Sequence, residues 1–203
     1  MLQLPDHKVP PLHGLVLAGG KSLRMGQDKG MIKWHDKAQR YHVADLLKAF
    51  CPTVYISCRP EQQDGIGAGY WPLPDHQTDL GPLSGVMAAF QHNHDCAWLV
   101  VACDLPLIDA ETISHLIIHR NSNVLATAYK NPSDGLPEPL ITIWEPDAFP
   151  VLQEAISEGN ASLRKTLVQN EIALVRPLDP NVLMNANTEQ EAARIRAAYF
   201  KPL

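Results

Sequence analysis

The sequence predicts a three-layer α/β domain whose central sheet is mainly parallel and covered by helices on both faces. Short apolar runs alternate with stretches of helical periodicity from one end of the chain to the other. Those runs are continuously apolar, as in strands with no wet side. Composition agrees: 203 residues with 45% hydrophobic and 19% charged side chains exclude disorder, collagen-like repeats and coiled coil. No internal repeat or composition shift marks a boundary, and the length reads as one domain over 1–203.

The first element is Leu15-Val16-Leu17-Ala18, a buried-strand pattern cut off by Gly19-Gly20. A helix is expected over 38–50, with Val43, Leu46, Leu47 and Phe50 on one face. A strand follows at 53–57, then a helix over 82–91 that turns Leu83, Val86, Met87 and Phe90 inward. Trp98 to Cys103 is the most apolar strand and ends at Asp104. Asp109 is placed to cap a helix over 110–119. Strands are expected at 124–128, 140–144 and 172–176, and helices at 148–157 and 163–168. The last helix, 189–200, opens with Thr188 and Glu191 spaced as a capping box.

Charge narrows the functional classes. The net charge is −5, with 17 Lys+Arg against 22 Asp+Glu. A general nucleic-acid binder needs a basic field over its surface, so no nucleic-acid partner is expected, and any phosphate recognition must be local. Cys51, Cys58, Cys96 and Cys103 form no C-x-x-C pair and read as buried free thiols of a reducing compartment. Residues 1–11 carry Asp6, His7, Lys8 and three prolines and do not read as a signal peptide. No apolar run approaches a membrane span. The expectation is a soluble, cytoplasmic protein with no membrane partner.

Ligands of such sheets bind at the carboxyl ends of the strands, which singles out the loops 19–29, 73–85 and 103–108. In the first, glycines directly after a strand let backbone N–H groups turn toward an anion, and Lys21, Arg24 and Lys29 bring three cations into nine residues. This combination suits a triphosphate, although the same residues could make a solvated surface turn. The Walker spacing fails because its first glycine would fall on Leu15, and Gly-x-Gly-x-x-Gly is absent. Asp104, where a hydrophobic strand ends, is either a metal ligand or a cap for the turn beyond; Asp109 already serves as the next helix's cap. Asp75 could equally be a turn residue after Pro74.

The whole string Leu17-Ala18-Gly19-Gly20-Lys21-Ser22-Leu23-Arg24-Met25-Gly26-Gln27-Asp28-Lys29 resembles the signature of the molybdenum cofactor guanylyltransferases. The resemblance continues through Asp75 and Gly81-Pro82-Leu83-Ser84-Gly85, through Cys103-Asp104-Leu105-Pro106, and through Asn185-Ala186-Asn187-Thr188. It spans nearly the whole chain. It implies a Rossmann-like α/β/α fold of the nucleotide-diphospho-sugar transferase type. The implied reaction is attack of a molybdopterin phosphate on the α-phosphorus of GTP, with Mg²⁺, giving the guanine dinucleotide cofactor and pyrophosphate. The implied partners are GTP, molybdopterin, and the apoenzymes or other cofactor-biosynthesis proteins that handle the product.

On this resemblance Leu17, Ala18 and Gly19 face guanine and ribose, and Gly20 opens the turn toward the phosphates. Arg24 and Lys29 hold the β- and γ-phosphates, Asp75 contacts the nucleotide, and Asp104 binds the metal and the nucleotide. Asn185 and Asn187 belong to the acceptor side. The sequence departs from the family at Ser57, where many members carry Asn near the base, and at Leu136-Pro137-Glu138-Pro139-Leu140, which replaces a His-Pro pair and is expected to face the acceptor. Alternatives are a nucleotidyltransferase using CTP or acting on a sugar phosphate, or a non-catalytic nucleotide-binding module. His92-Asn93-His94-Asp95-Cys96 resembles a metal cluster but lacks a second ligand pair at matching spacing. Trp71 reads as a core or rim aromatic, and Ser22 lacks the Gly-x-Ser-x-Gly elbow of a nucleophile.

Overall fold

The computed structural model describes residues 9–20, 28–75, 77 and 79–200. Seven strands form one sheet: β1 (Leu12–Leu17), β2 (Val54–Cys58), β3 (Trp71–Pro74), β4 (Ala97–Ala102), β5 (Ala126–Lys130), β6 (Pro137–Trp144) and β7 (Ala173–Val175). Their spatial order is β3-β2-β1-β4-β6-β5-β7. Only β6 runs against its neighbours β4 and β5, so the sheet is mixed and mainly parallel, as expected.

The covering helices are α1 (Gln39–Lys48), α2 (Pro82–His92), α3 (Ala110–Ile118), α4 (Ala148–Ser157), α5 (Leu163–Gln169) and α6 (Glu189–Tyr199). Strand β4 shows why the layers form. Ala97, Leu99 and Val101 pack with Val43, Leu47, Ile113 and Leu116 of α1 and α3, while Trp98, Val100 and Ala102 pack with Val86, Phe90 and Leu152 of α2 and α4. Every residue of the strand is buried, so both faces must be apolar. Asp109 caps α3 through the backbone N–H of Thr112, and Thr188 and Glu191 form the capping box of α6, both as read from sequence. The four cysteines are buried and free. No helix among the described residues is long and apolar enough to cross a membrane.

One strand was not predicted. Residues 71–74 carry prolines at alternate positions, Pro72 and Pro74, which read as a loop. Proline cannot donate to a ladder and is confined to edges, and β3 is the sheet's edge, paired on one side only with β2. Trp71 on this strand is exposed rather than part of the core.

Candidate functional site

Strands β1, β2, β3 and β4 are parallel neighbours, so their carboxyl ends open at one edge, where three backbone bonds continue the ladder. Ala18 N donates to Ser57 O, Cys103 N to Leu17 O, and Asp75 N to Cys58 O. These bonds bring the ends of all four strands together around a cleft of about 520 Å³. It is lined by Leu17, Ala18, Gly19, Gly20, Lys29, Ser57, Arg59, Asp75, Asp104 and Leu140, with the Gly81–Gly85 start of α2 on one side.

Lys29 and Asp104 meet here, from segments 75 residues apart in sequence. The Lys29 ammonium lies 3.6 Å from Asp104 Oδ2 and donates to Asn187 Oδ1 at 2.6 Å. Asp104 Oδ1 is buried without a hydrogen-bond partner among the described residues. Burial pushes the Asp104 carboxyl above the usual carboxylate range, and the nearby Lys29 charge pulls it back. An orphaned carboxylate oxygen at a strand's carboxyl end, next to a lysine, is a place for a cation or a donor of a ligand. The turn beyond does not use this side chain as a cap; Ala186 N bonds the Asp104 main-chain oxygen instead.

Asp75 sits across the cleft. It is buried, and Ser57 donates its hydroxyl to Asp75 Oδ1 at 2.8 Å and approaches Oδ2 at 3.1 Å. Ser57, which the sequence placed near a base in its own right, thus orients a carboxylate. The contact was invisible in sequence because the two residues come from different strands. Gly19 approaches closely at this point: a Cβ there would lie 2.8 Å from Asp75 Oδ2, and the carboxylate would have to shift. Gly20 differs, since a Cβ would meet nothing within 4 Å and its φ is not positive. Gly81, which leads into α2, has φ +58° and ψ −136°, a conformation open essentially to glycine alone.

Asn187 is held in place by the capping box. Its N–H and that of Thr188 both donate to Glu191 Oε2, at 2.8 and 2.9 Å. Asn185 Oδ1 is buried and unpartnered among the described residues. Within the 136–140 segment Leu140 reaches the cleft, whereas Glu138 is buried and accepts from Asn131 and Arg164. The β5–β6 register shifts here, pairing Ala128 with Thr142 and Tyr129 with Glu138, so the intervening residues bulge and Leu140 is re-aimed. Cys103 lies beside Asp104, and burial pushes its thiol up, toward the protonated form. Arg24, Lys21 and Ser22 lie outside the described residues. Among the described residues no group of three or more His, Cys, Asp or Glu is arranged to hold a metal ion. In the 92–96 segment, His92 Nε2 instead bonds Tyr55 Oη, and Cys96 is buried.

Comparison with known proteins bears on this cleft. The family described as "MobA-like NTP transferase domain" matches residues 14–174. A Synechocystis protein named molybdenum cofactor biosynthesis bifunctional protein is 34% identical over 191 residues, covering 94% of this chain; the chain spans only 55% of that relative's length. A Pseudomonas putida protein named molybdenum cofactor guanylyltransferase is 30% identical over 174 residues, covering 83% of this chain and 88% of its own. A crystal structure from Archaeoglobus fulgidus, described as molybdopterin-guanine dinucleotide biosynthesis protein A, superposes with a TM-score of 0.72 at 23% identity, covering 90% of this chain and 95% of that one.

Proposed function

The chain belongs to the MobA-like NTP transferase family, and from that membership we propose that it transfers GMP from GTP to the phosphate of molybdopterin, forming the guanine dinucleotide cofactor and releasing pyrophosphate. It is a nucleotidyltransferase, and its relatives named molybdenum cofactor guanylyltransferase support guanine as the base and molybdopterin as the acceptor. The observation that carries the reading is the Lys29–Asp104 pair, 3.6 Å apart at the carboxyl edge, with Asp104 Oδ1 unpartnered among the described residues.

In the reaction an acceptor phosphate oxygen forms a bond to the α-phosphorus as the bond to the β-phosphate oxygen breaks. Negative charge grows on the departing pyrophosphate. Lys29, already held by Asn187 and Asp104, is preorganised to meet that charge, with Arg24 proposed to share the task. Leu17, Ala18, Gly19 and Gly20 supply backbone to the nucleoside and phosphates. Asp75, oriented by Ser57, contacts the nucleotide. Asn185 and Asn187 are proposed to serve the acceptor side from behind the cleft wall, Asn187 through its bond to Lys29.

The donor set fits Mg²⁺, which usually takes one or two carboxylates and completes its shell with phosphate oxygens and water. Asp104 Oδ1 is the oxygen that would hold it. When bound, the ion supplies charge neutralisation at the reacting phosphates. We place the reaction in the cytoplasm, where four buried free thiols stay reduced. No partner protein is assigned beyond the apoenzymes or cofactor-handling proteins that would receive the product.

The test is pyrophosphate release from GTP, CTP or ATP with molybdopterin and Mg²⁺, run on the native chain and on Asp104→Asn. GTP should be used preferentially, and Asp104→Asn should lose several kcal/mol of transition-state stabilisation, hence orders of magnitude in turnover, with little change in melting temperature. Equal use of the three nucleotides would remove the guanine assignment. Near-normal turnover of Asp104→Asn would remove its metal role.

A further inference from the structure

One side chain at the cleft's edge clasps two main-chain carbonyls and belongs to none of the motifs that mark the site. Arg59 directly follows β2. Its Nη1 donates to two successive carbonyl oxygens, Gly19 O at 3.1 Å and Gly20 O at 3.2 Å. Its Nε pairs with Glu61 Oε1 at 2.6 Å, so the guanidinium is held along a second edge. The turn that begins at Arg59 also grips the chain further on. Arg59 N donates to Gln62 Oε1 and Gln62 N to Arg59 O, which folds the turn on itself. Gln62 Nε2 then donates to Asp28 Oδ2 at 3.0 Å, and the other Asp28 oxygen accepts from Gly30 N at 2.8 Å. Residues 59–62 thus bind Gly19 and Gly20 on one side of the 21–27 stretch and Asp28, the residue before Lys29, on the other.

We propose that Arg59 is a positioning residue for nucleotide binding: it fixes the Gly19–Gly20 backbone after β1, while Gln62 fixes Asp28, the residue before Lys29. The inference rests on the nucleotidyltransferase reading of the cleft.

The physical argument has three steps. In a trans peptide the C=O and N–H point in opposite directions. Turning the Gly19 carbonyl toward Arg59 therefore turns the Gly20 N–H away from it. Glycine loses more conformational freedom on ordering than any other residue, and among the described residues a Cβ at Gly20 would meet nothing within 4 Å. The two hydrogen bonds from Arg59 restrain that peptide. Finally, two carbonyl oxygens at the rim of a cleft meant for a polyanion present negative dipole ends to it, and a guanidinium that covers both removes that repulsion.

A residue that sets the loop's backbone acts on the nucleoside and the phosphates alike, whereas a residue that grips phosphate acts on the phosphates alone. The experiment is calorimetric binding of guanosine, GMP and GTP with Mg²⁺ to the native chain, Arg59→Met, Arg59→Lys and Gln62→Leu, with KM, kcat and melting temperature measured in parallel. Arg59→Met is expected to weaken all three ligands, guanosine by about tenfold, the scale of charge-assisted hydrogen bonds lost from one cation, and GTP by more, because the uncovered carbonyls then also face its phosphates. Arg59→Lys should recover most of that loss, because a single nitrogen serves both carbonyls. Gln62→Leu should weaken GTP more than guanosine, because it releases the residue that leads into Lys29, and should raise KM more than it lowers kcat.

Loss confined to GTP in Arg59→Met would show a direct phosphate contact and overturn the positioning role. Unchanged binding in both Arg59→Met and Gln62→Leu would overturn it as well, leaving the functional reading intact. Failure of the native chain to bind any of the three ligands would overturn the nucleotide reading and this role with it. If Arg59→Met fails to fold, Gln62→Leu and Arg59→Lys decide the matter.

Discussion

Gly85→Ala tests the packing under the nucleotide cleft, because it sets two opposing effects against each other. Gly85 lies within α2, where replacing glycine by alanine ordinarily stabilises by about 1 kcal/mol through helix propensity. Here the added Cβ would lie 2.4 Å from Ser57 Oγ, 2.7 Å from Leu17 Cδ2 and 3.1 Å from Ser57 Cβ. The hydroxyl could swing aside only by giving up its bond to Asp75, and Leu17 sits in the core between β1 and α2. Overpacking of this kind costs about 1–3 kcal/mol, and a lost hydrogen bond to a charged acceptor adds about 1.5–3 kcal/mol. The net expectation is destabilisation of about 2–4 kcal/mol, roughly 4–16 °C in melting temperature for a chain of this size. The assay is thermal unfolding of Gly85→Ala, Ser57→Ala and the double variant, together with GTP affinity. Because Ser57→Ala removes the atom at 2.4 Å, the double variant should be less destabilised than the two single changes summed, and each single change should weaken GTP through Asp75. A Gly85→Ala protein as stable as the parent, or strict additivity in the cycle, would falsify the close approach.

Two further outcomes follow from the same geometry. Lys29→Ala should weaken GTP by about 1.5–3 kcal/mol, roughly 10- to 150-fold, while leaving guanosine affinity nearly unchanged; equal losses would make Lys29 structural. His42, on α1, is pushed down to about 4 by burial and then by the neighbouring His35, whose ring stacks on it at 3.7 Å. The unfolded chain therefore binds a proton between about pH 6.5 and 4 that the folded chain refuses, and stability falls as pH drops through that window. His42→Gln should flatten the decline in melting temperature from pH 7 to pH 4, and parallel curves for the two proteins would rule His42 out.

The layered fold was open to sequence reasoning wherever one strand carried the signal alone. Trp98–Cys103 is apolar at every position because both faces are covered, and Thr188 and Glu191 announce their helix by spacing. Strand β3 was hidden because Pro72 and Pro74 contradict strand chemistry unless the strand is an edge, and edge status is a property of the assembled sheet. The candidate site divides the same way. Gly19, Lys29, Asp75 and Asp104 stand in contiguous motifs. The Ser57–Asp75 bond, the Arg59 clamp and the Gln62–Asp28 tether join residues 18 to 40 positions apart, and for the first two it is the parallel register of β1, β2 and β3 that makes them neighbours. Gly20 is the converse case: it stands in the motif, yet among the described residues no atom near its Cβ position and no positive φ calls for glycine.

The segment before α6 shows how a helix cap can become part of a site. Glu191 is in the helix because a carboxylate at the third position satisfies orphan N–H groups at the helix start. It accepts from the N–H of both Thr188 and Asn187, so the backbone just outside the helix is fixed as firmly as the first turn. Ala186 N reaches back to Asp104 O at 2.9 Å, pinning the same segment to the loop after β4. Asn187 is thereby caught between two anchors, one on α6 and one on β4, and its amide oxygen meets the Lys29 ammonium at 2.6 Å. The Lys29 ammonium is held by Asp104 beside it and by Asn187 from 158 positions away, while Asp28 caps the turn that carries it. A lysine restrained in this way loses little rotamer freedom when an anion arrives, so its charge is available to the ligand without first being ordered by it. The last helix thus contributes to the cleft without lining it, by fixing the segment whose Asn187 accepts from Lys29.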